Sequence, residues 1–271
     1  MGGTLIDLSR WWARERPDVP AIITRIDKVT YRELDSWADA LAEWLIAEGL
    51  NVGDRVTIIA TNCMEWFALS QGVLRAGGLL APLNPRFTVS EAAYMISRYE
   101  PKFIVYDEQR EGMARESASG VAGVKFHNLN EVVAYRHRKA QSSPRDIAPD
   151  TQVVIIPTSG STARPKGVIY SHRTMVNYVT EFMIAAPHTA DHGKVILFAP
   201  LTTSAGYVVL TQFLAYGATI YADDAFDPDR ALKWIVEEQI TVQGGQTCED
   251  AAASKRGVRK MRQAAQVRIS C

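Results

Sequence analysis

The chain has 271 residues and no formal net charge, because 30 Lys and Arg balance 30 Asp and Glu. That balance gives bulk electrostatics no part in nucleic-acid or membrane binding, and the length predicts one large domain or two small ones. With 47% hydrophobic and 22% charged residues, the chain can bury a sizeable core.

Strand and helix signals alternate along the chain. Thr30-Tyr-Arg-Glu33 reads as a capping box, with Glu33 able to reach back to the Thr30 amide. Leu34, Trp37, Ala38, Leu41 and Leu45 follow at helical spacing and Gly49 is placed to end the helix. Arg55-Val-Thr-Ile-Ile-Ala60 predicts a strand, and Asn62 is expected to cap a helix running to about Arg75. A short strand over 79–83, a capping box at Thr88-Val-Ser-Glu91 with a helix through Ile96, and a strand over 103–106 come next. Residues 130–150 are polar, with Pro144 and Pro149, and read as a linker or surface excursion.

In the second half Ser171 is expected to cap a helix through Met183, followed by a strand over 194–199, a helix over 204–215 and a strand over 218–221. Asp227-Pro228 places an N-cap before a proline at the first helical position. A helix to about Glu238 and a strand over 240–242 complete the series. This order predicts α/β layering with a largely parallel sheet. From Cys248 to Cys271 the chain turns Ala-, Lys- and Arg-rich, without an apolar stripe wide enough to dock. A division into 1–245 and a basic tail, 246–271, is expected, the tail shifted toward disorder.

Three cysteines, Cys63, Cys248 and Cys271, are too scattered for a metal knuckle and too few for a disulfide framework. Cys63 is expected to be a buried thiol, and a cytoplasmic setting fits. The first ten residues lack a secretory apolar core, and Ile6 stands where a myristoylation signal needs Ser or Thr. No apolar run reaches the ~20 residues that span a bilayer.

The chemistry concentrates in Thr158-Ser-Gly-Ser-Thr-Ala-Arg-Pro-Lys-Gly-Val168, between the apolar runs 153–156 and 168–170. Hydroxyls, backbone N–H groups and one ammonium in a tight loop form a cradle for an anion such as a nucleotide phosphate. Pro165 stiffens the loop just before Lys166, which limits the entropy lost when a phosphate is gripped. A solvated Ser/Thr/Gly turn is the alternative. Pro165 stands where a Walker loop needs glycine, and no G-x-G-x-x-G turn follows a strand, so P-loop NTPase and dinucleotide-binding sites are disfavoured.

The segment is similar to the T-S-G-[ST]-T-G-x-P-K-G-V signature of the AMP-forming acyl-CoA synthetases, members of the adenylate-forming superfamily. Arg16-Pro-Asp-Val-Pro-Ala21, Thr30-Tyr-Arg-Glu-Leu34, Gly53-Asp-Arg-Val56, Ala76-Gly-Gly-Leu-Leu-Ala-Pro-Leu-Asn-Pro85 and Ser171-His-Arg173 resemble that family in the same order, and the resemblance covers about 5–245. It implies the N-terminal, layered α/β part of that fold, incomplete. It also implies activation of a carboxylic acid, a fatty or similar acyl acid, to an acyl-adenylate with ATP and Mg²⁺, and its ligation to coenzyme A. Carried over by position, Thr158, Ser159, Gly160, Ser161, Thr162, Lys166 and Gly167 hold the ATP phosphates. Lys166 supplies charge to the leaving pyrophosphate, and Thr162 offers its hydroxyl to Mg²⁺. Pro200-Leu-Thr-Thr-Ser-Ala-Gly206 resembles the family's P-L-F-H-x-x-G block, so Thr203, Gly206 and Tyr207 are the expected acyl-pocket residues.

There are departures. Ala163 replaces a family glycine, and Thr202 and Thr203 replace the aromatic and His residues. The Y-G-x-T-E and T-G-D blocks, the ribose-binding aspartate and the C-terminal lysine have no counterpart after Gly245, where a frameshift or truncation is expected. The 271-residue chain is then not competent by itself. An adenylation domain feeding a carrier protein and a non-catalytic remnant are the alternatives. No nucleic-acid partner is expected. His172 reads as a capping or core hydrogen-bonding residue, and His127, His137, His188 and His192 as surface residues without ligand spacing. Trp11, Trp12, Trp37, Trp44 and Trp66 fall on helix-like segments and read as packing.

Overall fold

Helix α1 (Leu5–Glu15) opens the chain and is followed by a short hairpin, β1 (Pro20–Ile23) and β2 (Lys28–Thr30). Next come α2 (Tyr31–Ala47), β3 (Arg55–Ile59), α3 (Met64–Arg75), β4 (Leu79–Leu80), α4 (Val89–Tyr99), β5 (Phe103–Tyr106), α5 (Glu111–Ser117) and β6 (Lys125–Asn128). The second half holds β7 (Gln152–Thr158), β8 (Lys166–Ser171), α6 (His172–Ala185), β9 (Lys194–Leu197), α7 (Ser204–Ala215), β10 (Thr219–Ala222), α8 (Pro228–Glu237) and β11 (Val242–Gly244). This computed structural model describes residues 3–141, 145–158, 166–185, 193–224, 227–238, 240 and 242–244. The tail 246–271, His188, His192 and the loop 159–165 lie outside the described residues.

The strands form two sheets, ordered β11-β9-β10-β1-β2 and β6-β5-β3-β4-β7-β8. All neighbours run parallel except β1 with β2 and β7 with β8. Period-two alternation sends each strand's side chains to two different cores. Ile58, Val105, Val154, Ile156, Val195, Leu197 and Ile220 join one large cluster with α1, α2, α3, α6 and α7. Ile59, Ile104, Tyr106 and Ile155 point the other way, to α4 and α5. Ile196 and Tyr221 meet α8. The result is five layers: α8, the first sheet, a middle layer of helices, the second sheet, then α4 and α5. Strands covered on both faces read as unbroken apolar runs, which is why Phe103-Ile-Val-Tyr106 was legible.

The capping boxes at Thr30 and Thr88 are both formed. The Glu33 carboxylate accepts from the Thr30 amide at 2.8 Å, and the Glu91 carboxylate from the Thr88 amide at 2.8 Å. Ser171 accepts from Thr174 N–H at the start of α6, and Asp227 accepts from the amides of residues 229 and 230.

Other expectations are corrected. Asn62 does not cap α3. Cys63 holds the N-cap position without a side-chain hydrogen bond, because the Asn62 amide is committed elsewhere. The excursion at 130–150 is not free of the body: Trp37 Nε1 donates to Val132 O at 2.9 Å, and Arg136 pairs with Asp27 and donates to Lys28 O at 2.8 Å. His127 is half-buried rather than on the open surface. Its ring packs between Trp44 and Phe103 and its Nδ1 lies 3.0 Å from Glu131. Trp11 does not pack; it is 51% exposed, because α1 turns its neighbour Trp12 inward. Among the described residues no helix is long and apolar enough to cross a membrane.

Candidate functional site

Strand β7 ends at Thr158, and β8, which begins at Lys166, pairs with it antiparallel at the edge of the second sheet. Thr158 and Lys166 are partners in register, so these two strand ends are held together. By alternation Lys166 falls on the same face as Ile156, the face turned toward the first sheet, while Gly167 falls with Ile155 on the face turned toward α4. Ser159, Gly160, Ser161, Thr162 and Ala163 lie outside the described residues. The segment 158–167 contains hydroxyls, amides, Arg164 and Lys166 but no carboxylate. That donor set fits a polyanion such as a nucleotide triphosphate.

Parallel sheets bind ligands beyond the carboxyl ends of their strands. Here the carboxyl ends of the two sheets are joined. Asn62, in the loop after β3, donates from Nδ2 to Ala199 O at 3.0 Å and accepts from Leu201 N–H at 3.0 Å, in the loop after β9. Asn62 is buried, so both bonds are sheltered from water. Strand β7 lies two strands from β3 in the sheet, roughly 10 Å away at ordinary strand spacing. The bridge therefore brings the 200–207 block to the same end of the molecule as the hairpin turn. Sequence reasoning placed Asn62 only as a helix cap; a lone asparagine after a strand carries no signal for a bridge 137 residues away.

The expected acyl-pocket residues are adjacent, with distinct surroundings. Thr203 caps α7: its hydroxyl accepts from Gly206 N–H at 3.2 Å and donates to Pro200 O at 2.7 Å. Gly206 packs so closely on the preceding turn that a Cβ would sit 2.1 Å from Pro200 O. Tyr207 is buried beneath Trp66, ring centroids 6.3 Å apart, and among the described residues its hydroxyl has no hydrogen-bond partner. The Thr202 hydroxyl is also buried and has no partner among the described residues.

Two further groups lie nearby in sequence or fold without matching the expected chemistry. His172, directly after β8, is 1% exposed and its Nδ1 accepts from Leu5 N–H at 3.3 Å. Burial lowers its pKa to about 4, against a smaller opposing effect of Asp7. It is therefore a neutral core hydrogen-bond acceptor tying α1 to α6. Cys63 lines a cleft with Thr24, Asp27, Thr61, Glu65 and Asp223 at the carboxyl ends of β1, β3 and β10. Burial, with Glu65 beside it, pushes the thiol up, which makes it a poor nucleophile. Asp27 and Asp223 are paired with Arg136 and Arg230. Among the described residues no group of three or more His, Cys, Asp or Glu is placed to hold a metal.

Comparison with known proteins shows the family and the fold. The sequence profile of one family, AMP-binding enzyme, matches residues 9–246. The chain is 32% identical over 234 residues to indigoidine synthase of Streptomyces lavendulae, covering 84% of this chain and 18% of that protein. It is 28% identical over 174 residues to the fatty acid–[acyl-carrier-protein] ligase ScoC of Streptomyces coeruleorubidus, covering 63% of this chain and 33% of that protein. A Mycobacterium tuberculosis fatty acyl CoA synthetase shares the fold, with a TM-score of 0.79 at 20% identity, over 89% of this chain and 48% of that one. The chain thus spans less than half the length of each of these three proteins.

Proposed function

Because the chain belongs to the AMP-binding enzyme family, an adenylate-forming family, we propose that it carries the triphosphate-holding part of an ATP-dependent acid ligase. The observation that carries this reading is the β7–β8 hairpin. It has a carboxylate-free turn between Thr158 and Lys166, at the sheet end that Asn62 joins to the 200–207 block. When bound, ATP supplies an electrophilic α-phosphorus and a pyrophosphate leaving group for attack by the substrate carboxylate. In this proposal Thr158, Ser159, Gly160, Ser161 and Thr162 cradle the β- and γ-phosphates with Gly167 behind them, and Thr162 contributes to Mg²⁺. Lys166 neutralises charge on the departing pyrophosphate, an electrostatic contribution that grows in a water-poor site.

The acid is proposed to enter beside Thr203, Gly206 and Tyr207, with coenzyme A as the thiol acceptor. A second reading has a specific observation in its favour. The name of one relative, a fatty acid ligase to acyl-carrier protein, supports a carrier-protein acceptor, and amino acids are tested beside fatty acids as substrates. Residues 1–271 contain the phosphate hairpin without Y-G-x-T-E, T-G-D or a late lysine of the family type, so these residues alone are proposed to hold a triphosphate without turning over. Acid-dependent exchange of labelled pyrophosphate into ATP, across fatty and amino acids, tests this. The expected result is exchange no greater than in Lys166→Ala, and exchange that depends on both an acid and Lys166 overturns it.

A further inference from the structure

Gly167 follows Lys166 in β8, and its backbone has no positive φ that would require glycine. What excludes a side chain there is space. A Cβ at this position would lie 2.5 Å from Ile155 Cγ2, 3.5 Å from Tyr99 Cε1 and 3.6 Å from Tyr99 Oη. Ile155 is on the partner strand β7, one pair away in register on the same face. Tyr99 ends α4. Both belong to the outer cluster and are buried, with 6% exposure each. Arg55 Nε donates to Tyr99 O at 2.6 Å, which pins the end of α4 to β3. Only the Ile155 contact is too short for two carbon atoms; the Tyr99 atoms lie at ordinary van der Waals distance and would admit a Cβ.

We infer that Ile155 is a positioning residue for the phosphate hairpin. Its Cγ2 occupies the space that a Cβ at 167 would need, so the closeness of β8 to β7, and with it the placement of Lys166 one residue earlier, is set from the face opposite the ligand. Non-bonded carbon atoms settle at about 3.5–4.0 Å, so an alanine at 167 moves β8 outward by roughly an ångström. Displacements of that size in a positioning element cost about a hundredfold in enzymes generally. The functional consequence rests on the triphosphate reading above; the geometric one does not.

The test compares the wild-type chain with Gly167→Ala, Ile155→Ala and the double variant Ile155→Ala/Gly167→Ala. Two quantities are read: amide hydrogen exchange across β8, and affinity for inorganic triphosphate. Gly167→Ala is expected to raise exchange in β8 and weaken triphosphate binding at least about tenfold, while Ile155→Ala in the same chain restores both to within about threefold of wild type. If Ile155→Ala lowers stability too far for folding, Ile155→Leu in the Gly167→Ala background removes the branching Cγ2 at nearly constant volume and is read the same way. Wild-type exchange and affinity in Gly167→Ala, or a loss that removing Ile155 Cγ2 does not relieve, overturns the inference. Absence of triphosphate affinity in the wild-type chain overturns the functional reading instead, and the exchange data then decide the positioning claim alone.

Discussion

At the scale of single residues, burial decides what each group does. His172 is held neutral, with its pKa lowered to about 4. The unfolded chain then binds more protons than the folded one between that value and the ordinary histidine value near 6.5. The contribution of His172 is fully present above about pH 6.5 and is lost as pH falls toward about 4. Between about pH 7 and pH 4.5 this amounts to about 2–3 kcal/mol. Urea midpoints at the two pH values should differ less in His172→Gln than in wild type; equal differences would show that His172 does not titrate on unfolding. Tyr99 makes the opposite point. Its buried hydroxyl has no partner among the described residues, and burial pushes its pKa up. An unsatisfied buried hydroxyl costs about 1–3 kcal/mol, so Tyr99→Phe is expected to leave the thermal midpoint unchanged or raised. A fall of several degrees would mean that the hydroxyl has a partner in solution.

At the scale of elements, α1 depends on one face. Trp12 Nε1 donates to Ala215 O at 2.7 Å, and its ring covers Gly217, where a Cβ would come within 2.6 Å. Gly217 has φ +71, so it is glycine for its conformation as well as for the close approach. Trp12→Ala is expected to cost about 2–4 kcal/mol by the usual range for large-to-small changes, and Trp11→Ala less than about 0.5 kcal/mol as an exposed change. Equal losses in chemical denaturation would contradict the docking of α1. The sequence distinguished these two residues poorly because both fall on a helix-like segment whose bounds and inward face were not marked. Its capping box ends in Asp7 rather than the Glu or Gln of the usual pattern. Thr30-x-x-Glu33 and Thr88-x-x-Glu91 follow that pattern and were legible. The short hairpin β1–β2 carried no such signal, since strands of three or four residues leave too few positions for periodicity to be read.

At the scale of the whole molecule, two sheets share one middle layer, and Asn62 joins their carboxyl ends. Asn62→Ala removes two buried hydrogen bonds and strands Ala199 O and Leu201 N–H. A loss of about 2–4 kcal/mol is expected, with raised amide exchange at Leu201 ahead of the sheet cores. Unchanged protection at Leu201 would contradict the bridge. The layering was legible because strands buried on both faces leave apolar runs of strand length, and the hairpin was legible because two such runs flank a Gly-, Ser- and Thr-rich turn. The joining of the sheets and the close contact of Ile155 with Gly167 were not legible. The first links segments 137 residues apart, the second depends on strand register, and Asn62 and Ile155 are types with several ordinary uses.

The central claim is that the hairpin holds the triphosphate end of ATP through Lys166. Calorimetric titration of ATP, inorganic triphosphate and AMP into the wild-type chain and Lys166→Ala tests it most directly. The account predicts that ATP and triphosphate bind more tightly than AMP, that Lys166→Ala weakens both at least about tenfold, as loss of a charge-assisted contact does, and that it leaves AMP unchanged. Equal affinity for AMP and ATP, or triphosphate binding indifferent to Lys166, would contradict it.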